Sequence, residues 1–178
     1  MRSSLFLFFI FALGCGGAQE TGGSGFSGTV DPNAQAFDTN KDGKPDSWKY
    51  FRKVDGKQVL ARKEYDINFD GRVDIIRVFN AKGEIESDSM DMDFDGRPDV
   101  KTTYENNKPK KKELDLQFDG KPDVVRHYSK GRLVRLESDT DNDGKTDHWE
   151  IYKNGKLVRI GSDHDGDGQA DPDKWIEK

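Results

Sequence analysis

The chain has 178 residues, 35% of them charged and only 32% hydrophobic, with 34 acidic against 29 basic residues for a formal net charge of −5. A thick two-layered core is excluded by that balance, because short segments each bury little apolar surface. The single cysteine excludes an internal disulfide, and no His-Glu-x-x-His or paired Cys/His spacing exists for zinc.

The chain starts with one Arg and then an apolar run, Leu5-Phe-Leu-Phe-Phe-Ile-Phe-Ala-Leu13, which is too short to cross a bilayer. This is the form of a secretory signal, expected over residues 1–14. Its end, Ala12-Leu13-Gly14-Cys15, resembles the lipobox of bacterial lipoproteins, although Ala12 stands where that box favours Leu. The resemblance implies that Cys15 carries the lipid and becomes the mature N-terminus. An Asp after the Cys would favour retention at the inner membrane; Gly16 stands there, so the outer membrane is expected. Residues 15–36, rich in Gly, Ser, Thr, Ala and Gln, read as a flexible tether. Within it, Gly23-Ser-Gly25-Phe-Ser-Gly28 spells a dinucleotide fingerprint, but no strand precedes it and Pro32 follows before a helix could develop.

From residue 37 to 178 one pattern recurs, D-x-(D/N/Q)-x-D-G-x-x-D, in loops that begin at Asp38, Asp66, Asp91, Asp115, Asp139 and Asp163. The last four starts are 24 residues apart. Alternate side chains of a tight loop converge on its concave side, and crowded carboxylates repel unless a hard cation lies between them. Gly43, Gly71, Gly96, Gly120, Gly144 and Gly168 follow position 5, where a sharp turn disfavours a side chain. After each of the first five loops comes a segment of strand character that closes on an aromatic: Phe51, Phe79, Tyr104, Tyr128 and Tyr152. Turn signals follow at Asp55-Gly56, Lys82-Gly83, Asn106-Asn107, Lys130-Gly131 and Asn154-Gly155, and then a second strand-like piece. The expected fold is all-β: an elongated tandem array of loop-plus-hairpin units in a single-layer or solenoid-like antiparallel sheet, with the aromatics as a ladder of neighbours. The sixth loop, followed only by Lys174-Trp-Ile176, is expected to cap it.

These loops resemble the first nine positions of an EF-hand loop and the calcium loops of thrombospondin type 3 repeats and integrin-type β-propeller blades. The resemblance implies side-chain ligands at positions 1, 3, 5 and 9 and a carbonyl at position 7. By position, these ligands are Asp38, Asn40, Asp42 and Asp46; Asp66, Asn68, Asp70 and Asp74; Asp91, Asp93, Asp95 and Asp99. The other three loops contribute Asp115, Gln117, Asp119 and Asp123; Asp139, Asp141, Asp143 and Asp147; Asp163, Asp165, Asp167 and Asp171. About one Ca²⁺ per loop, up to six, is implied. The EF-hand's bidentate Glu at position 12 is matched only by Glu150, and the β-branched segments between loops do not suit flanking helices.

Enzyme chemistry finds little support: the three His residues have no nucleophile beside them in the pattern, and His164 at position 2 is expected to point away from the cation. Six equivalent acidic loops argue for repeated metal binding rather than one hydrolytic pair. The run Lys108-Pro-Lys-Lys-Lys112 is expected to be a solvated hairpin tip, and no nucleic-acid partner is implied. Basic residues fall instead at position 7 (Lys44, Arg72, Arg97, Lys121, Lys145) and near the hairpin tips (Lys57, Lys82, Lys108, Lys130, Arg132, Lys156), so loaded loops would present positive rows. The expectation is a calcium-binding, lipid-anchored outer-membrane protein that serves as a metal-stabilised structural or binding subunit. Its partners would be the membrane, through the lipid, and an envelope protein or anionic glycan. A soluble secreted calcium-binding adhesin is the alternative, with a hydrolase behind both.

Overall fold

The computed structural model describes residues 34–178, so the expected signal, Cys15, the fingerprint glycines and most of the tether lie outside the described residues. The strands are β1 (Gln35–Phe37), β2 (Ser47–Val54), β3 (Lys57–Tyr65), β4 (Ile75–Phe79), β5 (Ile85–Met90) and β6 (Val100–Glu105). They continue with β7 (Lys108–Leu114), β8 (Val124–Ser129), β9 (Arg132–Ser138), β10 (His148–Lys153), β11 (Lys156–Ser162) and β12 (Ile176–Glu177). All twelve form one open antiparallel sheet in sequence order, with no helix among the described residues.

Turn chemistry sets the hairpin ends. Asp55 and Gly56 hold φ of 50° and 77°, and Asn154 and Gly155 hold 52° and 77°. Asn106 and Asn107, and Lys130 and Gly131, do the same. Two consecutive left-handed residues make the tight turn whose twist matches the flanking strands. The β4–β5 connection is longer, closed by Asn80 N–H donating to the Glu84 carbonyl at 2.9 Å.

Each hairpin also carries a bulge at the same place. The register shifts between Tyr50 and Phe51, Val78 and Phe79, Thr103 and Tyr104, His127 and Tyr128, and Ile151 and Tyr152. One return-strand residue (Ala61, Glu86, Lys110, Val134 or Val158) is left over each time, which bends and twists the ribbon locally. Past the bulge the aromatics pair with Leu60, Ile85, Pro109, Leu133 and Leu157. The expected aromatic ladder is therefore interleaved: the rings sit on every second strand, about 10 Å apart, with an aliphatic residue beside each.

Two boundaries differ from expectation. Gln35 and Ala36, assigned by composition to the tether, pair with Lys49 and Trp48. Lys108–Lys112 is not a hairpin tip but the first part of β7, because Asn106-Asn107 completes the turn before it. Pro109 is tolerated there because β7 pairs with β8 only from Lys111 onward, so its missing N–H interrupts no ladder on that side.

Buried apolar side chains are few: Tyr50, Val73 and Trp149. Buried polar residues outnumber them, and six are loop aspartates: Asp46, Asp66, Asp74, Asp91, Asp99 and Asp115. The buried loop aspartates lie where the first three pairs of successive loops meet.

Candidate metal centre: acidic loops along one sheet edge

Antiparallel pairing in sequence order brings the six loops to one edge, since each loop connects a return strand to the next outgoing strand. Inside every loop the position-1 carboxylate accepts the N–H of the position-6 glycine at 2.7 to 2.9 Å. The position-5 carboxylate accepts the position-7 N–H at 2.8 Å in all six. The position-9 carboxylate accepts the position-2 N–H, as from Thr39 to Asp46 at 2.8 Å and from Thr140 to Asp147 at 2.9 Å. Backbone N–H groups thus hold the carboxylates in place, while oxygen lone pairs remain for other partners.

The main chain can do this because it is left-handed at two positions. The position-6 glycines have φ between 83° and 93°. Position 4 is also left-handed: Lys41, Phe69, Phe94, Phe118 and Asn142 hold 62° to 67°, and Gly166 holds 74°. Sequence reasoning assigned position 4 no role. The available signal was Asn142 and Gly166, two residue types at home at positive φ.

Successive loops are stitched together. The N–H of Asp66, Asp91, Asp115, Asp139 and Asp163 donates to the carbonyl of Asp46, Asp74, Asp99, Asp123 and Asp147, respectively, at 2.7 to 2.9 Å. Position 9 of one loop therefore abuts position 1 of the next, and the first three such junctions contain the six buried aspartates. Burial raises the carboxyls of Asp74 and Asp91 above the usual range, against the pull of their backbone donors. Buried carboxylates cost free energy unless they are neutralised. Asp66 is 4% exposed, and its Oδ1 is buried with no hydrogen-bond donor. In the first, third, fifth and sixth loops the same oxygen takes the position-4 N–H.

Three loops gather carboxylate oxygens within 4.8 Å of one another: Asp91, Asp93 and Asp99; Asp139, Asp141 and Asp147; Asp163, Asp165 and Asp171. These are positions 1, 3 and 9, and such acidic groups are able to hold a metal ion. The loops that begin at Asp38, Asp66 and Asp115 carry an amide at position 3. In two of them that amide donates to the position-5 carboxylate, Asn40 to Asp42 at 3.1 Å and Asn68 to Asp70 at 3.2 Å. Gln117 does not turn into its own loop; its amide reaches Asn142 of the next.

Other expected features are placed differently. Glu150 lies within β10, where it accepts the Tyr152 hydroxyl and stands 3.5 Å from His148, so the strand has taken up the carboxylate that position 12 offered. His164 does not point away from the ligand set, because its Nδ1 is 3.5 Å from Asp171. The position-7 cations are not a free row. Arg72 closes back on Asp70 at 2.6 Å and Arg97 on Asp95, and these guanidiniums hold both carboxyls below the usual range. Lys145 donates to the Gly166 carbonyl of the next loop at 2.6 Å. Lys121 lies over Gly144, where a Cβ would come within 2.9 Å of its Nζ.

No protein-family model matches the chain, and no curated protein matches it. Among solved structures it aligns with accessory secretory protein 1, 2 and 3 of Streptococcus pneumoniae at 16% identity and a TM-score of 0.38, over 61% of this chain and 19% of that one. It also aligns with a mutant of S. aureus TarM in complex with fondaparinux, alpha-GlcNAc-glycerol and UDP at 13% identity and a TM-score of 0.34, over 71% and 21%. The chain spans about a fifth of the length of either, and neither likeness bears on function.

Proposed function

We propose that the chain is a calcium-binding, lipid-anchored envelope protein, a tandem array of calcium loops and hairpins that serves as a metal-stabilised structural or binding subunit at the outer membrane. One observation carries the metal reading: aspartates are buried at the first three loop junctions, with Asp66 Oδ1 left without a donor, in a sheet that has few buried apolar side chains. An all-oxygen donor set suits a hard cation, and loose spacing suits Ca²⁺ over Mg²⁺, which demands a tighter octahedron. Positions 1, 3 and 9 of the loops that begin at Asp91, Asp139 and Asp163 would hold it first. In the loops that begin at Asp38 and Asp66 the position-3 amide oxygens of Asn40 and Asn68 would join Asp38 and Asp46, or Asp66 and Asp74. Calcium there would supply the positive charge that a thin sheet needs in order to bury carboxylates.

The test is circular dichroism and protease resistance of the full-length chain with calcium, with magnesium and after exhaustive chelation. A less stable, more readily digested chain on chelation, restored by calcium, is the expected result. Unchanged spectra and unchanged digestion would reduce the loops to solvated turns. Anchoring is tested separately: Cys15→Ser should abolish acylation and leave an unprocessed precursor, and normal processing at residue 15 in that variant would refute the lipid.

A further inference from the structure

Positions 2 and 4 are polar or glycine in the first, fifth and sixth loops: Thr39 and Lys41, Thr140 and Asn142, His164 and Gly166. In the three loops between them they are apolar: Ile67 and Phe69, Met92 and Phe94, Leu116 and Phe118. Five of these six belong to the exposed large hydrophobic residues of the described chain, at 41% for Ile67, 51% for Phe69, 46% for Met92, 53% for Leu116 and 39% for Phe118. Phe69, Phe94 and Phe118 also hold φ of 63°, 65° and 62°, a region that costs an L side chain conformational energy. Three consecutive loops thus place phenylalanine where the backbone disfavours it, and two of the three, Phe69 and Phe118, are exposed to water as well. Folding does not ask for it, since Asn142 and Gly166 fill the same position elsewhere.

The row has a definite shape. Successive loops are two strands apart, so three loops span about 20 Å along the edge. Side chains of this size carry on the order of 200 Å² each, and five of them half exposed offer on the order of 500 Å², short of the roughly 800 Å² per partner of a stable protein interface. Two copies meeting at this edge would also oppose identical carboxylate clusters. A bilayer surface asks for less: a few apolar side chains at the acyl boundary and positive charge at the headgroups. Arg72, Arg97 and Lys121 stand at position 7 of these same loops, but Arg72 and Arg97 are paired with Asp70 and Asp95, so an anionic surface is met only once the loop carboxylates are neutralised.

We propose that the edge formed by the second to fourth loops seats on an anionic lipid surface. Ile67, Phe69, Met92, Leu116 and Phe118 enter the acyl boundary, with the loop carboxylates neutralised so that they do not oppose the lipid phosphates. Neutralisation of the neighbouring carboxylates rests on the calcium reading above; the apolar row does not.

The experiment incubates the full-length chain with phosphatidylcholine vesicles, with or without phosphatidylglycerol, in calcium or in chelator, and uses a Leu116→Trp variant at the most exposed position of the row. The difference emission against the unsubstituted chain isolates the added indole, and brominated acyl chains report its depth whatever holds the N-terminus. A blue shift and quenching in phosphatidylglycerol vesicles with calcium are expected. Adding Phe69→Asn and Phe118→Asn, which the position-4 backbone accepts at Asn142, should weaken the edge–bilayer equilibrium about tenfold or more. Quenching of equal strength in chelator would overturn the anionic seating, since unneutralised loop carboxylates would then face the phosphates. An unquenched indole in anionic vesicles with calcium overturns the proposal; if circular dichroism still responds to calcium, only the bilayer contact falls. A blue shift that needs no vesicles and grows with protein concentration assigns the row to a second copy and overturns it equally.

Discussion

Replacing Asp74 by Asn should change stability in opposite directions with and without calcium. Asp74 is 2% exposed, and its Oδ2 accepts the N–H of Ile67 at 2.7 Å and of Asn68 at 3.3 Å. The amide oxygen of the substituted side chain would keep both bonds, in weaker neutral form, and the buried charge would be gone. Ionised carboxylates cost several kcal/mol to bury, and two charge-assisted bonds return only part of that, so the metal-free chain should gain about 1 kcal/mol. With calcium the sign reverses. Losing one anionic ligand weakens such a site on the order of 10- to 100-fold, which at saturation removes about 1.5–3 kcal/mol. Urea unfolding of the full-length chain, followed by tryptophan emission in chelator and in calcium, measures both arms. A variant that moved stability in the same direction in both arms would refute the role assigned to this carboxylate. The pH dependence adds a second handle. Burial raises the folded-state pKa of Asp74 above 3.8, so the folded chain binds the extra proton first. Its contribution to stability is fully present below pH 3.8 and is lost as pH rises through the folded value, and the variant should lack that slope in chelator.

Two predictions lie away from the loops. Gly161→Ala would place a Cβ 2.9 Å from the Trp175 ring, so the C-terminal segment should lift from β11, with a red-shifted, more quenchable emission and a loss of about 1–2 kcal/mol; unchanged emission would show that Trp175 does not lie there in solution. Tyr50→Phe leaves the ring under Arg62 but removes the hydroxyl that donates to Glu64 at 2.6 Å, which should cost about 2 kcal/mol in urea unfolding, and a loss below 0.5 kcal/mol, at about the limit for a surface change, would discount the bond. Burial and the Glu64 carboxylate push the Tyr50 phenol up to about 12, so its contribution holds below pH 10 and is lost between pH 10 and 12, a slope the variant should not show.

Most of the sheet was legible because its punctuation is chemical. Asp-Gly, Asn-Asn, Lys-Gly and Asn-Gly pairs mark the hairpin turns, and in all of them except Lys82-Gly83 the structure holds consecutive left-handed residues. The alternation of turn and loop then leaves a meander as the simplest path. What escaped was whatever depends on neighbours rather than on local pattern. Lys108–Lys112 reads as solvated because it is basic, yet it pairs with β6 on either side of the Lys110 bulge and with β8 from Lys111, and lysine stems can cover a sheet while their heads stay in water. Glu150 matches a ligand by count, but β10 begins at His148 and carries it along the strand to Tyr152. Arg72 and Arg97 lie outside the side-chain ligand positions in sequence, and only the loop's fold brings their guanidiniums onto Asp70 and Asp95. Phe at position 4 gave no warning, because its oddity lies in a backbone angle that letters do not display.

The stitching between loops leads to one more expectation. Each position-9 carbonyl accepts the position-1 N–H of the next loop, so the two residues that would bind neighbouring ions are joined by a main-chain hydrogen bond. Holding one loop in place therefore preorganises a ligand of the next, and loading should favour adjacent sites, as in other linear arrays where each unit couples only to its neighbours. The side chains reinforce this: Gln117 reaches Asn142, and Lys145 reaches the Gly166 carbonyl. Asp139→Ala, which removes position 1 of the fifth loop, should then weaken the fourth and sixth loops and leave the first nearly unchanged. Backbone amide exchange in calcium, read loop by loop on the full-length chain, distinguishes the cases. Protection should fall in residues 115–123 and 163–171 and persist in residues 38–46. Equal loss in all six loops would mean that the sheet unfolds as one unit, and loss confined to residues 139–147 would mean that the stitching carries no coupling.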